Sequence, residues 1–190
     1  MPASHAQAIE VLSLGCEAGN ADACSEAGRL LLKTATRAAA AAAAPSGAPT
    51  SSPSPSPSPN AALAPAVARA DALFATGCNV ASGTASNARC CGLRAALHLA
   101  PALAHHLPPP PREDLLRWLE LGCAGEHGAS CMALAAAYRP GASAAGAALQ
   151  LPPSPARAFA LEVQGLLWMG MTPRAAAAAV EKKHGPAPQA

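Results

Sequence analysis

The sequence predicts an all-α fold, an α-solenoid in which helical hairpins stack on one another. About half of the 190 residues are hydrophobic, and many of these are alanine, the strongest helix former. The segment Leu12-Ser-Leu-Gly-Cys16 recurs as Leu119-Glu-Leu-Gly-Cys123, and in both copies seven residues precede the next cysteine. A third Gly-Cys step ends at Cys78, 45 residues before Cys123, which is a spacing typical of stacked repeats.

The first cysteine pair predicts a hairpin in residues 1–37. On a single helix, Cys16 and Cys24 would lie about 12 Å apart, because each residue advances the helix by ~1.5 Å. A disulfide requires Cα atoms within about 7 Å. The chain must therefore reverse between these cysteines, and the same argument applies to Cys123 and Cys131. Each pair predicts two antiparallel helices joined by a disulfide.

Residues 38–65 have low complexity. An alanine run passes into alternating Ser-Pro that ends at Pro59. Proline lacks a backbone donor and disfavours helix at the residue before it. We expect this Ala/Ser/Pro-rich segment to be an extended, disordered insertion between the first hairpin and the rest of the fold.

Residues 66–171 contain the remaining hairpins and a capping helix. The second hairpin runs from Ala66 to about Leu107 and has a wider gap between its cysteines, while the third covers 111–141. A helix over 155–169 is expected to cap the stack. In 172–190 we expect a C-terminal helix, with Thr172 as its N-cap and Pro173 first, followed by a loose tail.

The seven cysteines allow three disulfides and one free thiol. Leu93 and Leu97 follow Cys90 at the same intervals as Leu134 and Tyr138 follow Cys131, which favours Cys90 as the partner of Cys78. Ala95, a small residue four positions after Cys91, favours Cys91 instead. We predict Cys91 as the free thiol and the following residues as disulfide-bonded: Cys16, Cys24, Cys78, Cys90, Cys123 and Cys131.

Several functional classes find little support. Structural zinc sites usually space their cysteines by two to four residues, unlike the gaps here. A net charge of +2 and five aromatic residues argue against nucleic acid as a partner. No apolar run approaches the ~20 residues of a membrane-spanning helix, so we expect no membrane insertion. The Ser-x-x-Lys, Gly-x-Ser-x-Gly, His-Glu-x-x-His and phosphate-loop motifs are missing, which favours a non-enzymatic protein.

The segment from Cys131 to Gly141 resembles the Cys-x-x-Leu-Gly-x-x-Tyr-x-x-Gly signature of Sel1-like repeats. The preceding Leu-x-Leu-Gly-Cys with its seven-residue gap is similar to the cysteine-rich branch of these TPR-like repeats. That branch includes the hcp beta-lactamase family of bacteria and the mitochondrial cytochrome c oxidase assembly factor 7 type. The resemblance covers about two-thirds of the chain. The first hairpin departs from the signature at Leu31, where tyrosine is usual.

The resemblance to the mitochondrial type implies a protein-interaction role in assembly of respiratory complex IV, in the intermembrane space. Paired cysteines without a recognisable signal sequence agree with that compartment. The implied partners are assembly components and the oxidative import machinery. No cofactor is expected; haem is conceivable from the resemblance alone, with no ligand residue indicated. The alternatives are a beta-lactamase-like or penicillin-binding enzyme, and a cytosolic or lumenal adaptor with reduced thiols.

Overall fold

A computed structural model describes residues 2–43, 59–78, 85–141 and 143–186. These ranges contain helices and no strand, which confirms the all-α prediction. Within these ranges, no helix combines the length and the hydropathy that a membrane-spanning helix requires. The helices are α1 (Pro2–Glu17), α2 (Ala21–Ala43), α3 (Pro59–Gly77), α4 (Ala85–Leu99), α5 (Pro101–Ala104), α6 (Arg112–Ala124), α7 (Gly128–Ala137), α8 (Ala144–Leu149), α9 (Pro155–Trp168) and α10 (Pro173–His184).

The helices pack mainly against their neighbours in sequence. Three disulfide-linked hairpins, α1/α2, α3/α4 and α6/α7, follow one another along the chain. The second helix of the first two hairpins contacts both helices of the next, so that α2 packs on α3 and α4, and α4 packs on α6 and α7. Helix α7 packs on α9, and α9 on α10. Each of the first two hairpins thus buries one side against the hairpin that follows, and the third buries one side against α9.

The apolar core is divided into two clusters. The larger cluster contains all seven cysteines together with Leu115, Trp118 and Leu119 of α6. The smaller one lies between α2, α3 and α4 and is centred on Phe74. Gly28 of α2 allows that ring to approach, because a Cβ atom at Gly28 would lie 2.4 Å from Cε1 of Phe74. The core therefore relies on sulfur atoms and on close helix contacts as much as on large side chains.

The predicted insertion over 38–65 is wrong at both ends. Helix α2 continues through the alanine run to Ala43, and α3 begins at Pro59. Because alanine has the highest intrinsic helix propensity, the alanine run can extend α2 without tertiary contacts. Pro65 lies inside α3, and the burial of Leu63 and Val67 on either side of it favours the helix in spite of the missing hydrogen bond. Residues 44–58, with most of the Ser-Pro repeat, lie outside the described part.

The C-terminal helices agree with the sequence. Helix α9 ends at Trp168, one residue before the predicted end. Thr172 caps α10 by accepting a hydrogen bond from the backbone N–H of Ala175 at 3.4 Å, and Pro173 is the first helical residue. The tail predicted to be loose lies mostly outside the described residues. The short helices α5 and α8 were not predicted, because four and six residues are too few to show a periodicity.

Candidate functional site

Three disulfides join the two helices of successive hairpins near their connecting turns. The bonds Cys16–Cys24 and Cys123–Cys131 are formed as predicted, with Cα atoms 4.5 and 4.7 Å apart. The third bond brings the Cα atoms of its cysteines within 4.6 Å. The first and third bonds connect the end of one helix to the beginning of the next, which is the geometry that the seven-residue gap requires. In the second hairpin the gap is wider, and Cys91 lies further along its helix, at the seventh residue of α4.

The predicted partner of Cys78 is wrong. Cys78 bonds to Cys91, and Cys90 is the free thiol. The residue four positions after the second cysteine of each bond is small and buried: Gly28, Ala95 and Ala135. Residues four apart lie on one helix face, so this small residue marks the face packed against the neighbouring helix. Had Cys90 been bonded, the charged side chain of Arg94 would occupy that place.

Cys90 occupies a position that holds a small residue in each hairpin. A glycine precedes the first cysteine of every disulfide: Gly15, Gly77 and Gly122. A Cβ atom added to these glycines would lie 3.0 Å from Ala23 Cβ, 2.5 Å from Cys90 Sγ and 2.5 Å from Ser130 Oγ, respectively. The residue before the second cysteine therefore packs on this glycine in all three hairpins. Sequence reasoning missed this contact, although the Gly-Cys steps could have indicated it.

The surroundings of Cys90 keep its thiol protonated. The side chain has no exposed surface, and Sγ donates a hydrogen bond to the carbonyl oxygen of Ala21 at 3.1 Å. Burial, aided by the negative charge of Asp22, raises the pKa of Cys90 to about 11. Because the thiolate is the reactive form in disulfide exchange, Cys90 is a poor nucleophile in the folded protein. The geometry assigns it a packing role.

A polar cluster joins α3, α4 and α6. Asp71 accepts hydrogen bonds from Arg94 at 2.9 and 3.3 Å and lies 3.1 Å from Nε2 of His98. Burial alone would raise the pKa of Asp71, but these two partners lower it below its ordinary value. The Arg94 guanidinium also lies 4.1 Å from the ring centroid of Trp118, a favourable cation–π distance. The cluster links two hairpins.

A second cluster fastens α10 to the fold. Glu162 of α9 is buried and forms salt bridges with Arg139, which follows α7, and with Lys183 at 2.9 Å. His184 lies 3.2 Å from the same carboxylate. Burial would raise the pKa of Glu162, but hydrogen bonding to Lys183 and the charge of Arg139 lower it. The carboxylate therefore stays ionised and holds together basic residues from two separate segments.

His127, in the turn of the third hairpin, is half-buried. Its Nδ1 lies 2.8 Å from the hydroxyl oxygen of Ser130. Burial and the positive charges of Arg89 and Arg29 lower the pKa of His127, which favours the neutral ring. The ring packs close to Gly92, where an added Cβ atom would lie 2.4 Å from Nδ1. This histidine supports the contact between the second and third hairpins.

Two open cavities lie on the surface of the second and third hairpins. The larger has a volume of about 510 Å³ and lies between α4, α5, α6 and α8; we name it the α5 groove. The smaller, of about 290 Å³, lies beside Cys123 and is bordered by Tyr138, over whose ring Arg157 stacks at 4.6 Å. Residues of the α5 groove are His98, Ala104, His105, Leu107, Pro109, Pro110, Arg112, Leu115 and Ala148.

Comparisons of this chain with protein families, with curated proteins and with solved structures found no match.

Proposed function

We propose that this protein is a non-enzymatic interaction protein, a Sel1-like α-solenoid that assists the assembly of respiratory complex IV in the mitochondrial intermembrane space. The observation that carries the proposal is the set of three disulfides, each joining the two helices of one hairpin. Disulfides of this kind persist in oxidising compartments and are rare in the cytosol. Among such compartments, the resemblance of Cys131–Gly141 to Sel1-like repeats, whose cysteine-rich branch includes a mitochondrial type, supports the intermembrane space.

The exposed surface supports a role in binding proteins. Large apolar side chains are exposed on the first helix, where Val11 and Leu14 are 68% and 65% exposed. Others lie at the end of α9, where Trp168 and Met169 are 42% and 55% exposed. Stacked hairpins present extended surfaces to partners, and aromatic and methionine side chains are enriched in protein interfaces. The proposed partners are complex IV assembly components, and the oxidative import machinery during entry.

The compartment is tested by trapping the thiols in intact cells. Cells are treated with N-ethylmaleimide before lysis, the protein is purified under denaturing, non-reducing conditions, and its peptides are mapped by mass spectrometry. We expect three disulfides and a single cysteine, Cys90, that is labelled only after denaturation. Seven labelled cysteines would indicate a reducing compartment and would contradict the proposal in favour of a cytosolic adaptor.

The assembly role is tested by depletion. We expect cells lacking the protein to contain less assembled complex IV on native gels, with the other respiratory complexes unchanged. Wild-type protein should restore the level, whereas Cys91→Ser protein should not, because it cannot form the second bridge. Unchanged complex IV in depleted cells would refute the role. Purified protein is expected to leave a chromogenic β-lactam intact, and hydrolysis would favour the enzyme alternative.

A further inference from the structure

The α5 groove has the size and the wall of a small-molecule site. Its volume of about 510 Å³ falls within the ~300–1,000 Å³ that is usual for such sites. Its wall is formed largely by apolar side chains contributed by three helices and by the proline-rich connection before α6. These residues are Ala104, Leu107, Pro109, Pro110, Leu115 and Ala148.

The titratable residues that line the groove are all basic. His98 is already bonded to Asp71, so it contributes mainly to the wall. In the described ranges, neither His105 nor Arg112 forms a salt bridge. Arg112 makes one long hydrogen bond, 3.4 Å, to the carbonyl oxygen of Gln150. The positive charge at the groove is therefore uncompensated by a lining carboxylate.

A buried polar atom lies beside the groove, on His106, which is the neighbour in sequence of two lining residues, His105 and Leu107. Nε2 of His106 is buried and, among the described residues, has no hydrogen-bond partner. The ring of His106 lies 3.8 Å from that of His105, between centroids. Buried polar atoms are almost always paired in proteins, so an unpaired one calls for an explanation. One ring nitrogen beside the groove is therefore left without a hydrogen-bond partner by the described residues.

We propose that the α5 groove binds a small amphipathic monocarboxylate, a carboxylic acid with a hydrocarbon body. The body would lie on the apolar wall, and the carboxylate would accept hydrogen bonds from Arg112 and His105. Glu113 and Asp114 follow Arg112 in the first turn of α6, and their charges disfavour a polyanion such as a nucleotide. This proposal stands independently of the role in complex IV assembly.

The test measures octanoate binding to the full-length oxidised protein by calorimetry. Octylamine, which has the same hydrocarbon body with the opposite charge, is the matched ligand control. Arg112→Gln removes the charge, and Ala148→Leu fills the groove; both residues are exposed, so the fold should persist, as circular dichroism would check. Arg117→Gln, an exposed change on the same helix outside the groove, is the matched protein control.

We expect octanoate to bind and octylamine not to bind. Arg112→Gln should weaken octanoate binding by about tenfold, because a charge-assisted hydrogen bond is lost, and Ala148→Leu should abolish it. Arg117→Gln should bind like the wild type. The proposal is overturned if octanoate does not bind, if octylamine binds equally well, or if Arg112→Gln and Ala148→Leu leave the affinity unchanged.

Discussion

Cys90 and Cys91 are adjacent in sequence and both buried, yet one is a packing residue and the other is half of a disulfide. On a helix, adjacent side chains point about 100° apart. Cys91 therefore faces Cys78, while Cys90 faces Gly77 and the backbone of α2. The first hairpin places Ala23 and the third Ser130 where the second has Cys90, which indicates that the position requires a small side chain.

Exchanging each of these two cysteines for serine should give different outcomes. Cys91→Ser removes the bridge to Cys78, which spans 13 residues of sequence, and should lower the free energy of unfolding by about 3 kcal/mol. Cys90→Ser should cost less than about 1 kcal/mol, since a hydroxyl can donate to the Ala21 carbonyl as the thiol does. Urea unfolding at pH 7 provides the measurement. Equal losses for the two variants, or a Cys78–Cys90 bond in the wild type, would contradict the assigned pairing.

The Cys90 thiol should react slowly while the protein is folded. With a pKa of about 11, only about a thousandth of the thiol is ionised at pH 8, and the side chain is shielded from solvent. We expect iodoacetamide to modify native protein at least about 100-fold more slowly than protein unfolded in urea. Cys90→Ser protein, which should take up no label in either state, is the control. Rapid labelling of the native protein would show that the thiol is accessible.

At the level of helices, each hairpin depends on a close approach between its two members. The glycine before the first cysteine allows it in all three hairpins, and the small residue before the second cysteine completes the contact. The disulfide beside this contact holds the Cα atoms of its two cysteines 4.5–4.7 Å apart. The Gly-Cys step is thus one structural device repeated three times.

Gly77→Ala should destabilise the protein even though alanine is the better helix former. Propensity would favour alanine by about 1 kcal/mol. However, the new methyl group would lie 2.5 Å from Cys90 Sγ and 2.8 Å from Cys24 Cβ, and overpacking of this kind costs about 1–3 kcal/mol. We expect a net decrease in the thermal unfolding midpoint. Because Cys90 Sγ is the closest atom, Gly77→Ala combined with Cys90→Ala should recover part of the loss. An increased midpoint in Gly77→Ala would show that the helices are free to separate.

The attachment of α10 should depend on the charge of Glu162. Glu162→Gln should cost about 2–3 kcal/mol at pH 7, because it removes the buried partner of Arg139 and Lys183. Glu181→Gln, an exposed change on α10, is the control. Thermal unfolding followed by circular dichroism gives the comparison.

The pH dependence of stability provides a second readout for Glu162. Its pKa in the folded protein is lower than the ordinary value of 4.5, so its contribution is complete above that pH and is lost as the pH falls below it. The difference in stability between wild type and Glu162→Gln should therefore shrink on acidification. A difference that stays constant from pH 7 to pH 3 would mean that the carboxylate does not stabilise the fold through its charge.

The molecule as a whole has a core poor in large side chains, and covalent bonds compensate for it. By the loop-entropy argument, the three bridges together contribute about 8 kcal/mol, which is comparable with the ~5–15 kcal/mol stability of a typical domain. The neighbour-to-neighbour packing of the helices means that few contacts between distant segments take over when a bridge is lost. Oxidation and folding are therefore closely coupled in this protein.

Reduction of all three disulfides should lower the unfolding midpoint by about 20 °C, since 1 kcal/mol corresponds to roughly 2–4 °C in a chain of this size. The midpoint is measured by following helix content with temperature after treatment with a phosphine reductant. Mass spectrometry after alkylation verifies that reduction is complete. The oxidised protein in the same buffer is the control. If the fully reduced protein unfolded at an unchanged temperature, the disulfides would not be structural.

The sequence by itself determined the helical class, the three hairpins and two of the three disulfides. These follow from local physics: alanine favours helix, and Cys16 and Cys24, which are separated by seven residues, can be bridged only where the chain turns back. The N-terminal cap of α10 is also local, since Thr172 needs only its own first turn.

Tertiary structure decided which of Cys90 and Cys91 bonds to Cys78, because the answer depends on which helix each cysteine side chain faces. It also brought together the residues of the Glu162 cluster and of the α5 groove, which are distant in sequence. Helix α3 continues through Pro65 because Leu63 and Val67, on either side of it, are buried. In each case the deciding contact comes from another helix. For the cysteines the spacing along α4 contained two opposing signals, Leu93 and Leu97 for Cys90 and Ala95 for Cys91, and only the packed helices decide between them.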